Sequence, residues 1–183
     1  MIFFFHCHKA GGSTVVRAAE EGGFVLPPHH ANGNVTQEDG TLLHWDGLSD
    51  EEATERLKAL RDQGVNFLAF EFSMPSLKVL SQFTDARRVT VLREPLARRY
   101  SNYKMDVAQE YISLDGVFSI DSYIRKADAD YRASNYYTRF FCRLGPDEPV
   151  LREHLEYTIA LLDAFDVVGI LESTSLADDL QAE

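Results

Sequence analysis

Residues 3–18, FFFHCHKAGGSTVVRA, decide the fold. The apolar run Ile2–Cys7 leads into a lysine and two glycines, and a helical pattern then runs from Ser13 to Glu21. A short apolar run that ends at glycines is typical of a buried strand. The first amides of the following helix have no partner within it and lie at the positive end of its dipole. The stretch therefore predicts a strand, a loop and a helix that together can bind an anion.

Strands and helices alternate along the rest of the chain. Further strands are predicted at Val65–Ser73, Arg87–Glu94 and Asp166–Glu172. Helices are predicted at Ser49–Gln63, Pro75–Phe83, Pro95–Tyr111, Ser119–Lys126, Ser134–Cys142 and Leu151–Phe165, and from Ser173 onward. Residues 24–47 are rich in Pro, Gly, Asn and His and are predicted to form a long irregular segment. The alternation predicts an α/β fold in which helices cover both faces of a mainly parallel sheet of four to five strands, and residues 1–183 are expected to form a single domain.

Composition narrows the classes of partner. A net charge of −11 argues against nonspecific binding to nucleic acid and against binding to anionic membranes. No apolar run approaches the roughly 20 residues that cross a bilayer, so stable membrane insertion is not expected. Cys7 and Cys142 are far apart in the sequence, which argues against a disulfide framework and makes the cytoplasm the expected compartment.

The segment Arg87–Lys104 departs from this acidity, since it holds six basic residues and one acidic residue. A local basic patch in an acidic protein indicates a compact anionic ligand. The alternative is a solvated helix face.

The first motif that indicates such a ligand is Lys9–Thr14, KAGGST. Gly11 and Gly12 allow the backbone to approach a ligand closely, and Lys9 supplies a full charge. In a Walker A loop the lysine follows the glycines, whereas here it precedes them. A simple turn between strand and helix is the alternative explanation.

The second motif is VTVLREPLARRYSNY, Val89–Tyr103. Arg93 ends a predicted strand, Pro95 begins a helix, and Ser101 follows two turns later. A guanidinium and a hydroxyl in this arrangement can bind one phosphate group, and arginine can do so through two hydrogen bonds.

Together the two motifs resemble those of sulfotransferases that use 3′-phosphoadenosine 5′-phosphosulfate (PAPS). KAGGST is similar to their 5′-phosphosulfate loop, P-K-x-G-[GS]-[ST]-[ST], and LREPLARRYS is similar to their 3′-phosphate motif, R-D-P-x-x-R-x-x-S. Leu161–Glu172, LLDAFDVVGILE, and Ser134–Cys142 resemble segments of the carbohydrate-type branch that includes heparan sulfate 2-O-sulfotransferases. His8 replaces the usual proline and Glu94 replaces the usual aspartate.

The resemblance implies a P-loop-like three-layer fold. It also implies transfer of a sulfuryl group from PAPS to a hydroxyl or amine, which leaves 3′-phosphoadenosine 5′-phosphate (PAP) as product and requires no metal. Lys9 would stabilise the leaving group. The residues implied to bind the 5′-phosphate are Lys9, Ala10, Gly11, Gly12, Ser13 and Thr14. Arg93 and Ser101 would bind the 3′-phosphate. Members of the family normally continue further after the last strand, so truncation of the domain at the C-terminus stays open.

The acceptor needs a general base. In this branch the base is often a histidine on the strand after the second helix, and Glu71 stands at that position here; glutamate is the base in other branches. The alternative role for Glu71 is a structural pair with an arginine. The rival bases are His44, His29 and His30; His8 could contact a phosphate, and His6 is expected to pack in the strand.

The acidity of the chain favours a small alcohol, a lipid or a neutral sugar as acceptor, because a heparan-like polyanion needs a long basic groove. Two other functions stay open. One is an ATP-dependent kinase with a modified loop, and the other is a noncatalytic module that binds PAP or another nucleotide.

Overall fold

The computed structural model describes residues 1–109, 122–123, 135–145 and 147–173. The helices predicted at Ser119–Lys126 and from Ser173 onward lie largely outside these residues, as does the predicted end of the Pro95–Tyr111 helix.

A parallel sheet forms the centre of the fold. The strands are β1 (Ile2–Phe5), β2 (His30–Ala31), β3 (Asn34–Val35), β4 (Phe67–Phe70), β5 (Arg87–Leu92) and β6 (Val167–Ile170). Four of them form the main sheet in the order β4-β1-β5-β6, and β1 pairs in parallel with both β4 and β5. The predicted α/β fold, with a mainly parallel sheet of four to five strands, is confirmed, and the sheet has four strands in the described residues.

The apolar run at the start of the chain forms β1, which lies between β4 and β5 and is buried on both faces of the sheet. Phe3, Phe4 and Phe5 are almost completely buried. The Phe3 ring packs against the rings of Phe70 and Phe83, with centroids 5.6 and 5.7 Å away. Burying each such side chain contributes roughly 1.5–3 kcal/mol to folding. A strand buried on both faces has no polar alternation, which explains the continuous run.

Within the described residues the helices follow the predicted order. They are α1 (Gly12–Glu21), α2 (Asp50–Asp62), α3 (Leu77–Leu80), α4 (Pro95–Ala108), α5 (Tyr136–Cys142) and α6 (Arg152–Asp163). Helix α1 begins one residue earlier than predicted, and α3 has less than half of its predicted length. The start of α2 shows why its prediction held. The Glu52 amide donates to Ser49 Oγ at 3.2 Å, and the Ser49 amide donates to Glu52 Oε2 at 2.8 Å. These two bonds form a capping box at the N-terminus of α2, as the sequence indicated.

The chain divides into two compact units. The first comprises Met1–Val91 and Asp166–Gly169 and contains the core around β1 and β4. The second comprises Leu92–Phe165 and Ile170–Glu183 and contains α4, α5 and α6. Within the second unit α5 packs on α6, where Cys142 Sγ lies 3.4 Å from Thr158 Oγ1.

Residues 24–47 contain more regular structure than the sequence predicted. β2 and β3 form an antiparallel hairpin, a further bridge joins Thr36 to Leu42, and a 3₁₀ turn spans Trp45–Gly47. The hairpin turn is made by Asn32 and Gly33, whose φ angles are 51° and 79°. Asn-Gly is the preferred pair for such a turn because both residues need a positive φ. That dipeptide was the available signal, but strands of two residues are too short to show alternation.

The hairpin is bonded to β4 and to the residue that follows it. The Ala69 amide donates to the Gly33 carbonyl at 3.0 Å, and the Glu71 amide donates to Asn34 Oδ1 at 2.8 Å. Asn34 is buried, and its side-chain Nδ2 donates to the carbonyls of Ala31 and Asn32. These bonds fix the backbone at Glu71, immediately after β4.

We predict that Gly33→Ala destabilises the protein more than Gly40→Ala. Both glycines have a positive φ, 79° and 82°, so each substitution costs about 1–2 kcal/mol for the left-handed backbone. A Cβ at Gly33 would also lie 2.9 Å from Ala69 Cβ, whereas none would be crowded at Gly40. This overlap adds about 1–3 kcal/mol at Gly33. Denaturant unfolding measures both losses, and equal losses would contradict the close approach of the hairpin to β4.

Candidate functional site

The loop between β1 and α1 is compact and partly strained. The Ala10 amide donates to the Cys7 carbonyl at 3.1 Å, and Ala10 is buried. Lys9 has a φ of 63° and Gly11 a φ of 85°. Glycine adopts this conformation readily, but for lysine it costs about 1–2 kcal/mol. Such strain is characteristic of functional loops and requires the surroundings to hold it.

The N-terminus of α1 is open to an anion. Gly11 is the capping residue, no side chain caps the helix, and no acidic residue lies in its first turn. The Thr14 amide donates to the Gly11 carbonyl at 3.0 Å, so Thr14 offers its exposed hydroxyl rather than its amide. The amides of Gly12 and Ser13 are positions that an α-helix cannot pair internally. Together with the charge of Lys9, these donors suit a phosphate group.

Gly12 is required by a close contact beneath the loop. A Cβ on Gly12 would lie 1.9 Å from both Cδ2 and Nε2 of the His6 ring. His6 is itself buried, and its ring stacks on Phe4 with centroids 5.4 Å apart. The imidazole therefore forms the floor of the loop, and only glycine leaves room for it.

The carboxylate of Glu71 lies between two histidines. Glu71 Oε1 is 2.7 Å from Nδ1 of His8, and Oε2 is 3.2 Å from Nδ1 of His6. The His8 contact is a hydrogen bond, whereas the His6 contact lacks hydrogen-bond direction. Only 7% of the Glu71 side chain is exposed, against 29% for His8. In place of the arginine partner that was the expected alternative, Glu71 has histidine partners that directly follow β1, the strand next to β4.

Burial lowers the pKa of His6 below its usual value. The nearby charge of Glu71 opposes this effect, and His8 adds to it. Because desolvation is the largest cause, the neutral form of His6 is favoured in the folded protein. His6 therefore packs as a neutral ring under the loop.

In the second unit, Arg93 is held at both its backbone and its side chain. The Tyr137 hydroxyl accepts from the Arg93 amide at 2.9 Å and donates to the Arg93 carbonyl at 2.6 Å. Arg93 Nε donates to Glu172 Oε1 at 3.2 Å, and the Glu94 amide donates to Glu172 Oε2 at 3.0 Å. These bonds, first of all the one from the Glu94 amide, lower the pKa of Glu172. Glu172 therefore stays ionised and orients the guanidinium.

Glu94 closes the N-terminus of α4. Its carboxylate accepts from the Leu96 amide at 3.0 Å and from the Ala97 amide at 2.6 Å. An acidic residue at this position caps the helix and complements its dipole, which explains why glutamate can replace aspartate. Unlike α1, this helix has two of its first amides already bonded.

Further along α4, Arg98 is buried and Ser101 is half-buried. The guanidinium carbon of Arg98 lies 3.9 Å from the centre of the Tyr136 ring. This cation–π contact joins α4 to α5. The predicted pairing of Ser101 with Arg93 around one phosphate stays a prediction.

Comparison with known proteins identifies the fold. The structure is similar to the crystal structure of a sulfotransferase from Alicyclobacillus acidocaldarius, with a TM-score of 0.51 and 17% sequence identity, over 98% of this chain and 76% of that one. The chain has a sulfotransferase-like fold. No family model and no curated protein sequence matches it. The similarity supports the sulfotransferase resemblance at the level of fold, and the heparan sulfate 2-O-sulfotransferase branch stays a prediction.

The histidines that the structure brings to Glu71 differ from the rivals that the sequence favoured. His44 and His29 are exposed, and Nδ1 of His30 accepts from the Gly33 amide at 3.1 Å. The sequence did contain a signal for the observed pair. That signal is the presence of two histidines, His6 and His8, on either side of Cys7 and directly before Lys9; in the structure both follow the end of β1 at Phe5.

Within the described ranges, no group of three or more His, Cys, Asp or Glu side chains is arranged to hold a metal ion. In the same ranges, every helix is too short or too polar to cross a membrane.

We predict that Gly12→Ala destabilises the protein by about 1–3 kcal/mol, because the new methyl group overlaps the His6 ring. Adding His6→Ala to Gly12→Ala should recover part of the loss, so the double variant should be more stable than the sum of the single effects implies. Gly47→Ala is the control, since a Cβ there meets no atom within 4 Å. Denaturant unfolding of the four variants measures the coupling, and strictly additive losses would show that the two positions do not touch.

We also predict that the free energy of unfolding decreases as the pH falls below about 6.5, the ordinary pKa of histidine. The pKa of His6 is lowered in the folded state, so the unfolded chain binds the proton first and acid favours unfolding. In His6→Gln the decrease between about pH 6.5 and pH 5 should be smaller. Chemical denaturation at several pH values measures both slopes. Equal slopes would mean that His6 does not titrate differently in the two states.

Proposed function

We propose that the protein transfers a sulfuryl group from PAPS to an acceptor hydroxyl or amine. The observation that carries this proposal is the open N-terminus of α1, with Lys9 at its entrance, in a chain with a sulfotransferase-like fold. The donors there are two helix amides, two exposed hydroxyls and an ammonium group, which fit the 5′-phosphosulfate of PAPS.

The 3′-phosphate is assigned to Arg93 and Ser101. The guanidinium offers several donors in a fixed plane, and Glu172 orients it through Nε. A 3′-phosphate distinguishes PAPS from ATP, and the position of Lys9 before the glycines also argues against an ATP-dependent kinase.

Bound PAPS supplies an activated sulfuryl group whose departure leaves negative charge on the oxygen that joined sulfur to the 5′-phosphate. Lys9 stabilises that charge, and stabilisation of charge that develops in the transition state is usually the largest single contribution to catalysis. The acceptor oxygen attacks from the opposite side, and its proton goes to a base. Glu71 provides the charge that drives this proton transfer.

The proposed acceptor is a small alcohol, a lipid or a neutral sugar, and the proposed compartment is the cytoplasm. The support is the net charge of −11, which opposes binding of a long polyanion.

One observation favours a second candidate, a noncatalytic module that binds PAP. Glu71 is 7% exposed and bonded to His8, so its carboxylate has little surface with which to meet an acceptor directly. Turnover of PAPS separates the two candidates.

We predict that PAP binds with micromolar affinity and more tightly than AMP, which lacks the 3′-phosphate. Lys9→Gly should weaken both ligands by about 10-fold to 100-fold, because one charge-assisted bond contributes about 1.5–3 kcal/mol. Glycine also accepts the positive φ at this position, so the substitution does not strain the loop. Arg93→Ala should weaken PAP and leave AMP unchanged. Isothermal titration calorimetry measures the affinities of the wild-type protein and of both variants for PAP and for AMP.

Two exposed cations serve as matched controls, Lys58→Ala on α2 and Arg152→Ala on α6, and neither should change the affinity for PAP. Tighter binding of ATP than of PAP would overturn the proposal and favour the kinase. PAP binding without consumption of labelled PAPS in the presence of any acceptor from a panel of alcohols, lipids and sugars would favour the noncatalytic module.

A further inference from the structure

We propose that His8 is the general base that takes the acceptor proton, and that Glu71 acts through His8 as its positioning carboxylate. The inference rests on the proposed sulfuryl transfer and names the catalytic residue of that site.

The hydrogen bond between the two side chains sets the state of the imidazole. His8 Nδ1 lies 2.7 Å from Glu71 Oε1. An ionised carboxylate only accepts hydrogen bonds, so Nδ1 must carry the proton, and in the neutral ring the basic lone pair is then on Nε2. A carboxylate that holds an imidazole in this tautomer also stabilises the imidazolium that forms when Nε2 accepts a proton.

Burial decides which of the clustered groups an acceptor can reach. The side chains of Glu71 and His6 are 7% and 4% exposed, whereas that of His8 is 29% exposed. A proton can thus pass from the acceptor to His8 without displacing Glu71 from the interior. The hydrogen bond to His8 occupies Glu71 Oε1 and so makes Glu71 a poor direct base, but the same hydrogen bond lets Glu71 orient the His8 ring.

The groups around His8 keep the charge of Glu71 available to it. His6 contacts the other carboxylate oxygen, but burial lowers the pKa of His6 and favours its neutral form. The apolar ring of Phe72 is a further neighbour of the His8 ring, with centroids 6.5 Å apart. Asn34 holds the backbone of Glu71, so the carboxylate starts from a fixed position.

The position of His8 in the loop also suits the reaction. It directly precedes Lys9, so the base and the cation for the leaving group are consecutive residues of one loop. In an in-line displacement the attacking and leaving oxygens are separated by a single sulfur atom. One short loop can therefore serve both oxygens.

His8 Nε2 accepts the proton of the acceptor hydroxyl as that oxygen forms a bond to sulfur. The bond from sulfur to the 5′-phosphate oxygen breaks, and its electron pair stays on that oxygen next to Lys9. The products are a sulfate ester, PAP and a His8 imidazolium paired with Glu71, which later releases its proton to water.

The first test uses the ligand-free protein and needs no turnover. Nitrogen-15 NMR of labelled histidine reports the tautomer of each ring, with His8→Gln used for assignment. We expect the neutral His8 ring to carry its proton on Nδ1, and we expect Glu71→Gln to reduce this preference. A His8 ring protonated on Nε2 in the wild-type protein would overturn the proposal.

The second test separates catalysis from nucleotide binding. His8→Gln should lower kcat by about 10²-fold to 10⁴-fold, the usual contribution of a general base, while the calorimetric affinity for PAP stays within about threefold. Glu71→Gln should lower kcat with the same small effect on PAP. His154→Gln on α6 is the control and should keep the wild-type kcat.

The outcomes distinguish this inference from the proposed function. If the wild-type protein turns over PAPS and His8→Gln keeps its kcat, His8 is not the base, but the sulfotransferase assignment stands. A loss of kcat confined to His44→Gln would assign the base to His44 and also overturn the inference. If the wild-type protein fails to bind PAP, the proposed function and the inference both fail.

Discussion

The buried carboxylate of Glu71 is the constraint on which the candidate site in the first unit depends. A carboxylate that is 7% exposed must be paired, because an unpaired charge in the interior costs several kcal/mol. Glu71 meets this requirement through its hydrogen bond to His8, while His6 lies beside the other carboxylate oxygen, and these contacts join the end of β4 to the residues that follow β1. The same arrangement sets the floor of the loop, because His6 also lies against Gly12. The pairing of Glu71, the shape of the loop between β1 and α1, and the exposure of His8 to solvent therefore depend on one another.

The fold could be predicted largely because its central strands are buried on both faces. Such strands appear as apolar runs without alternation, as in Phe3–Phe5 and Phe67–Phe70. The start of α2 was marked by Ser49 and Glu52, which form the capping box that the pattern predicts. These signals are local in sequence, so they can be recognised without knowledge of the tertiary structure.

The candidate site was harder to predict because it depends on strand register. Phe5 pairs with Phe70 across the sheet, so the residues that follow them, His6 and Glu71, reach the same level. No local pattern contains this pairing. The hairpin that holds Glu71 was missed for a related reason, since its strands have two residues each and only the Asn-Gly turn marks it. Sequence found the chemical groups of the loop but not the partners of Glu71.

The two helices next to the basic motifs use opposite electrostatic solutions. The first turn of α1 has no acidic residue, so its dipole is available to an external anion. Glu94 occupies the equivalent position of α4 with its own carboxylate. Although the chain as a whole is acidic, the uncapped N-terminus of α1 keeps a positive electrostatic potential. This source of positive potential adds to the one from the basic side chains of the segment Arg87–Lys104.

The contact between Gly12 and His6 has a consequence for protein engineering. The loop is not a portable module, since its shape depends on a ring that belongs to the strand below it. Grafting the segment from Lys9 to Thr14 onto another parallel sheet would succeed only if the host strand presented a flat side chain at the corresponding level. The smallest transplantable unit is the loop together with the last residues of its own strand.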